Sequence, residues 1–491
     1  MIEKSVAAAV ANRRKGRWGR RFGWAIATMI ALVLIAHATW SAVARHGVRS
    51  RVAALQAAGE PILPADFATP PNGPDNGGDD LLAAGDAIDQ YASANRAYDD
   101  ADFGLPLRPN ERKVIESALT DLAAPLAQFA AARNKPRHDW DLDLTKSPVL
   151  MNVMMPSMKG PRELCNLLRR AALVDHENGD DAAALRRVDG ILHIARFCDR
   201  HPSLIGHLVA IGCTALAAET IFDLAPDLKI GAAPGAIASA DARKLIDRLL
   251  DDAESRDALR RSLRGERMSQ LDAVRSILNG ISMPTGPGQQ VNYSSLRRYV
   301  FAPFFHHNSI DMLDRMTALV PLSDEPNLHA VKDKLPPTPT RVSKMNLLSD
   351  ILMPAVERIF ETHLRCASDR RLAATAIAIR WYQLDHAGHR PPTLAALVPS
   401  YLPSVPNDAL LRDQPLGYLP DMPRPRLYSA GANNVDDQGS DAFIKPSSDG
   451  RAAGPGDEWR TLDRCVFLDR QPRPAPQPDP NADPPTDAPP P

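Results

Sequence analysis

The stretch RELCNLLRRAALVDHENGDDAAALRRVDGILHIARFCDRHPSLIGHLVAIGCTALAAETIFDL, from Arg162 to Leu224, decides the fold class. Its first segment repeats apolar residues at Leu164, Leu167, Leu168, Ala171 and Val174, the spacing of one face of an α-helix. Asn178-Gly179-Asp180 makes a turn, with Asp180 or Asp181 as the N-cap of the next helix. That helix carries Leu185, Val188, Leu192 and Ala195 on one side. His201-Pro202-Ser203 breaks it, and Pro202 suits a first helical turn. The third segment, from about Leu204 to Leu224, is apolar almost all round and is expected to be buried on most sides. Three helices joined by short turns predict a helical bundle or a repeat-like array.

Working outward, the helical pattern extends from about Asp80 to Val320. Further helices are expected near 238–252 and 254–280. In the second of these, Asp251, Asp252, Glu254 and Asp257 precede Arg260, Arg261, Arg264 and Arg267. That spacing predicts a solvated face laced with ion pairs, including Glu266 and Arg267. Residues 281–308 look irregular, with an aromatic cluster at Tyr299, Phe301, Phe304 and Phe305. Residues 344–386 read as one long helix, with a kink possible at Pro354. Thr393 is the expected N-cap of a short helix. Short strands are expected at Pro415–Leu419, Arg426–Ser429 and Thr461–Leu468. A long helix followed by a small antiparallel sheet is an α+β unit.

At the other end, Phe22 to Ala44 runs 23 residues without Lys, Arg, Asp or Glu. A helix of about 20 residues crosses a hydrocarbon layer about 30 Å thick. Trp24 and Trp40 fall near the two ends, where amphipathic rings prefer the interface. Lys4, Arg13, Arg14, Lys15, Arg17, Arg20 and Arg21 precede the span, and Arg45, Arg49 and Arg51 follow it. This bias predicts a single-pass protein of the cytoplasmic (inner) membrane, its N-terminus in the cytoplasm and its bulk outside. Ala42-Val43-Ala44 also fits a signal-peptide cleavage site, but the apolar run exceeds the usual length of about 7–15 residues, which favours a retained anchor.

The chain therefore reads as mainly α. A basic segment and transmembrane helix occupy 1–45, and a stalk with a Pro/Gly linker occupies 46–79. A helical domain spans 80–342, and a long helix plus small antiparallel sheet spans 343–470. A disordered tail covers 471–491, where QPRPAPQPDPNADPPTDAPPP holds ten prolines. Lys plus Arg number 58 and Asp plus Glu 59, a balance that argues against a nucleic-acid partner. Five cysteines without a C-x-x-C disfavour a fully paired disulfide framework and a zinc ribbon, although one or two disulfides are possible outside the cytoplasm.

The C-terminal unit also carries a resemblance. Trp381-YQLDHAGHRPPTLAALVP, then Tyr401-LPSVPND, then Leu427-YSAGANNVDDQGS-Asp441 resemble, in order, the globular domain of type II secretion major pseudopilins. In that family a helix leads into a Pro-Thr-x-x-x-Leu segment. A Pro-Asp turn, a Tyr-Ser-x-Gly strand and an acidic calcium-binding loop follow. The resemblance covers about 90 residues. Here the long helix is internal, and the anchor lacks the glutamate of a prepilin-peptidase site, so the chain is not itself a pilin subunit. The whole layout, with its L-R-G-E-R segment at Leu263–Arg267, resembles a group of membrane-anchored planctomycete envelope proteins that have no assigned activity.

The resemblance implies calcium in the loop, with Asp436, Asp437 and Asp441 supplying the charge. Calcium takes 6–8 hard oxygen ligands, and the Asn433–Asp441 loop offers several. It is not an EF-hand. An acidic turn held by Asx hydrogen bonds is the alternative. Other constellations are weaker. His138 with Asp139, Asp141 and Asp143 lacks a second nearby His, and Cys198, His201, His207 and Cys213 follow no zinc spacing. His386 and His389 suit a helix C-terminus. Neither G-x-S-x-G, H-E-x-x-H, Walker A nor G-x-G-x-x-G occurs. The expected function is a non-catalytic, membrane-anchored scaffold that binds other envelope proteins, with a tie to secretion or envelope assembly. The alternative is a membrane-anchored hydrolase with a cleft between the helical and C-terminal units, using Glu266, Asp385 and His386.

Overall fold

In a computed structural model the chain is mainly helical, with one small three-stranded sheet. The structure describes residues 2–70, 73–99, 103–149, 158–286, 289–336, 346–444 and 458–473. The proline-rich tail beyond Arg473 lies outside them. In chain order the helices are α1 (Ile2–Ala57), α2 (Gly78–Ala94), α3 (Arg96–Asp99), α4 (Pro109–Asp121), α5 (Ala123–Arg133), α6 (Lys159–Glu177), α7 (Asp181–Asp199) and α8 (Leu204–Leu224). Then come α9 (Ser239–Leu250), α10 (Asp252–Asn279), α11 (Ser295–Leu319), α12 (Leu328–Lys334) and α13 (Leu347–Asp385).

The period read between Arg162 and Leu224 produces α6, α7 and α8. Leu164, Leu167, Leu168, Ala171 and Val174 are all buried. Asp180 is the cap of α7, its carboxylate accepting the Ala183 N–H at 2.8 Å. Asp181 goes inward instead, taking the Lys229 N–H and the His176 ring. Ser203, not Pro202, begins α8: its hydroxyl accepts the Gly206 N–H, so the proline sits one residue before the cap. By length and composition α8 is apolar enough to cross a membrane, yet it lies within the core, with Ala210, Cys213, Ala217, Ile221 and Leu224 buried.

The strands sit close to their expected places: β3 (Gly417–Leu419), β4 (Arg426–Ala430) and β5 (Asp463–Phe467) pair antiparallel in that order, with Tyr418, Leu427 and Val466 in register. A short hairpin, β1 (Met283–Gly286) with β2 (Gln289–Val291), follows α10 in the chain. One apolar core runs from Leu81 on α2 through α6–α9 and α13 to Leu427 and Val466 on the sheet. A second joins Leu259 and Leu263 of α10 to Met316 of α11, Phe360 of α13 and Leu410.

Two readings change. Residues 295–308 are not irregular but open α11, capped by Ser294 on the Arg297 N–H. Pro303 lies within this helix, and Phe305, Met312, Met316 and Leu319 form its buried stripe. Its partner is α1, which it follows in parallel. His37 Nε2 meets the Val300 carbonyl at 3.1 Å, Ile310 lies against Gly47, and Arg51 binds Asp314 at 2.6 Å. A Cβ on Gly47 would stand 2.7 Å from Ile310 Cδ1, so glycine permits the close approach.

The charged face of α10 is also not simply solvated. Arg267 is 1% exposed and is among the largest fully buried side chains. Its Nη2 binds Glu60 at 2.9 Å and the Pro61 carbonyl at 3.1 Å, and its Nη1 binds Thr317 at 3.2 Å. Arg264 grips the same carboxylate, with Nε at 2.9 Å. The Pro/Gly-dense stretch after α1 is thereby fastened to the body. Ile62 beside it is fully buried, and Asn76 is bonded to the Asp139 backbone. A Cβ on Gly265 would overlap the Pro202 carbonyl, which explains the glycine within L-R-G-E-R: α10 crosses directly over the corner that starts α8.

Candidate functional site

A buried polar grouping lies where α7, α8, α10 and α13 meet. Asp199 ends α7 and His207 lies one turn into α8. His207 Nδ1 sits 2.7 Å from Asp199 Oδ1, and its Nε2 sits 3.1 Å from Nδ1 of His363 on α13. With Nδ1 donating to the carboxylate, a single ring proton lies between His207 Nε2 and His363 Nδ1. Burial, and then the neighbouring His207 and Arg370, hold His363 well below the usual histidine range, so it is neutral. The adjoining cavity, about 60 Å³, is lined by Arg248, Glu254, Cys366 and Arg370 among others. It accommodates water; organic ligand pockets run to about 300–1,000 Å³.

The charges around it are spent on the fold. Arg370 donates to the carbonyls of Leu249 (3.1 Å) and Asp251 (2.8 Å) and to Asp252 Oδ1 (2.7 Å). Arg371 takes the other Asp252 oxygen at 2.5 Å and the Asn407 carbonyl at 2.8 Å. Burial pushes the Asp252 carboxyl up, but the two arginines outweigh it and hold it below its ordinary value. On the sheet side, burial brings Arg464 down to about 10. It bridges Asp369 of α13 and Glu219 of α8, while Trp459 donates to Asp369 at 3.1 Å. Asp408, from the Pro-Asn-Asp turn, accepts the Ala430 N–H, the Leu410 N–H and the Ser429 hydroxyl, each at 2.8 Å. The C-terminal sheet is thus pinned to α13 and α8 by buried, paired ions.

The acidic loop is held by hydrogen bonds to its own backbone and side chains. Its organiser is Asp463, fully buried, which accepts the N–H groups of Asp437 (3.2 Å), Gly439 (2.8 Å) and Ser440 (3.0 Å). Burial pushes its carboxyl up against those hydrogen bonds. Asp436 accepts the Gln438 N–H, and Asp437 accepts the Asn433 side-chain amide. Asp441 faces Arg424 and Arg426 at 3.4 and 3.5 Å. Asn434, Gln438 and Gly439 take left-handed backbone angles. Among the described residues no group of three His, Cys, Asp or Glu side chains is placed to hold a metal ion.

The three hydrolase candidates do not meet in any described contact. Glu266 accepts the Gln270 amide within α10. Asp385 accepts the Tyr401 hydroxyl, and His386 stacks on Tyr382 and bonds its carbonyl. Of the four residues weighed as a zinc set, Cys198 and Cys213 meet side chain to side chain, with Cys165 also against Cys213, while the two histidines bond elsewhere. His201 bonds Ser203 and meets the Trp140 ring edge-on, and His207 belongs to Asp199 and His363. Cys165, Cys198, Cys213 and Cys366 are buried free thiols, and Cys465 is free as well. His138 bonds the Ala132 carbonyl and meets His193, not its neighbouring carboxylates.

Sequence reasoning missed the Asp199–His207–His363 chain and the Glu60 clamp. Asp199 and His207 flank a visible helix break, a usable signal; His363 and Glu60 come from far along the chain and give none. No sequence-family profile, characterised protein or solved structure matches this chain.

Proposed function

We propose that the protein is a single-pass, membrane-anchored, non-catalytic scaffold whose body, outside the cytoplasm, binds other envelope proteins. The carrying observation is the course of α1. Residues 20–36 are all exposed, a run of about 25 Å at 1.5 Å per residue, and rich in apolar side chains such as Phe22, Trp24, Leu32 and Ile35. The same helix then enters the body without a break, burying Ser41, Ala44, Val48 and Val52. Cleavage at Ala44 would cut a packed helix, which favours a retained anchor. The basic residues before the span support a cytoplasmic N-terminus. The junction of the body supports a scaffold, because its buried ions are committed to holding elements together. The pseudopilin resemblance supports a tie to secretion or envelope assembly.

Alkaline extraction of membranes and external protease on spheroplasts test this. The full chain should stay in the pellet, and only an N-terminal tag should resist the protease. Release by alkali, or a protected body, would refute it. One observation favours the hydrolase instead: the Asp199–His207–His363 chain at the junction has the carboxylate-oriented histidine of acid–base catalysts. Turnover of ester or peptide probes by the folded chain, lost in His207→Gln, would establish that alternative.

A further inference from the structure

A cavity of about 720 Å³ opens where α1 leaves its exposed apolar run, between α1, the C-terminal half of α10 and the N-terminal half of α11. Val48 and Leu278 contribute to an apolar wall. Arg45, Arg49, Arg275 and Arg298 stand around it, and among the described residues no carboxylate lines it. Arg45, Arg49 and Arg275 make no hydrogen bond or ion pair among the described residues. Arg298 reaches only the Leu278 carbonyl at 3.4 Å and the Ser295 hydroxyl at 3.1 Å, and its buried Nε has no partner. The charges are felt nearby: burial, and then Arg45 and Arg49, lower the pKa of His306 in the same wall.

The cavity also lies at the depth where a lipid headgroup would sit. The body first touches α1 at His37, just past the fully exposed run. Because α11 runs parallel to α1, its first turns lie at that level and point Leu296, Tyr299, Val300 and Phe301 outward, all 47% exposed or more. An apolar, aromatic helix start beside an exposed apolar helix forms a continuous seam into the bilayer. A soluble anion would use the arginines but not that seam, and a neutral lipid would use the seam but not the arginines.

We propose that this cavity binds an anionic glycerophospholipid of the adjacent leaflet, phosphate among Arg45, Arg49, Arg275 and Arg298, acyl chain in the seam between α1 and α11. This rests on the membrane anchorage proposed above. Bound lipid would fix the height and tilt of the body over the membrane.

The test uses the full chain in phosphatidylcholine nanodiscs with and without phosphatidylglycerol, retained lipid being read by native mass spectrometry. Phosphatidylglycerol should be retained over phosphatidylcholine. The preference should fall about fivefold in Arg45→Gln and about thirtyfold in Arg45→Gln/Arg49→Gln, taking each surface arginine at its usual worth to an anionic lipid. Arg186→Gln, exposed on α7 and off the cavity, should keep it. Equal retention of both lipids, or the same loss in Arg186→Gln, overturns the proposal. Stabilisation in detergent by inorganic phosphate equal to that by phosphatidylglycerol overturns the lipid as source. Liposome flotation separates the two failures: a chain that does not float refutes the anchor, and one that floats without lipid preference refutes only the cavity. Should the double variant not fold, the Arg45→Gln result decides.

Discussion

Replacing Glu60 by Gln should loosen α1 from the body. The carboxylate is a quarter exposed, but Arg267 against it is buried to 1%, so the change strands a guanidinium away from water. Removing one partner of a buried ion pair costs about 3–5 kcal/mol. Arg267 would keep the Pro61 carbonyl and Thr317 hydroxyl, at 3.1 and 3.2 Å, which places the loss at the lower end, about 3 kcal/mol. Unfolding entropy near 2.1 cal/mol/K per residue gives about 0.8 kcal/mol/K for a cooperative unit of about 400 residues, so the melting temperature should fall by about 4 °C. Scanning calorimetry of the detergent-solubilised full chain reads this. Limited proteolysis should meanwhile open new cleavage after α1. The double variant Glu60→Gln/Arg267→Met removes the stranded charge and should recover most of the loss. A single variant within about 1 °C of the parent, or a double variant as damaged as the sum of its parts, would show that the clamp contributes little.

Four further outcomes follow from the geometry. Gly265→Ala should destabilise by about 1–3 kcal/mol although alanine is the better helix former, because the methyl meets the Pro202 carbonyl; a rise in melting temperature would refute the contact. Asp408→Asn should speed amide hydrogen exchange in Arg426–Ala430 before the rest of the body, and unchanged protection there would refute its role as a pin. Burial lowers His201 to about 4 and His193 to about 3, below the ordinary 6.5, so the unfolded chain binds more protons as pH falls through that window and stability is lost toward acid. His201 alone should cost about 2 kcal/mol between pH 7 and 5, and a melting temperature flat over that range would refute it. Calcium in excess, then chelator, should leave the melt unchanged if the loop is an acidic turn with Asp441 facing Arg424 and Arg426; a calcium-dependent rise lost in Asp436→Ala would show the loop to be a metal site.

The helices α6 and α7 were legible because each buries one face, so the period of apolar residues is the period of burial. The strands were legible because turn residues bracket short apolar runs. Helix α11 was not. Its first turns expose Leu296, Tyr299, Val300 and Phe301, and Pro303 interrupts the run, so the apolar spacing there has no single buried face to follow. The L-R-G-E-R segment misled for a related reason. Alternating charge signals a wet surface when its counter-ions are local, but the counter-ion of Arg267 is Glu60, 207 residues away. The same holds for His207, whose second partner lies 156 residues on. Local pattern reports burial by neighbours within a turn or two, and charge pairs closed over such distances leave no trace in it.

These long closures share a direction. Glu60 with Arg264 and Arg267 fastens the end of α1 to α10. Arg370 and Arg371 on Asp252 fasten α10 to α13, and Arg464 fastens the sheet to α13 and α8. Apolar contacts alone would let such helices slide, since packed stripes tolerate small shifts, whereas a buried ion pair misplaced by a turn leaves both charges unpaired. The chain of pairs therefore sets one register from the exposed apolar run of α1 to the C-terminal sheet. In the scaffold reading proposed above, that continuous line of register-setting pairs would hold the far surface at a fixed position over the membrane.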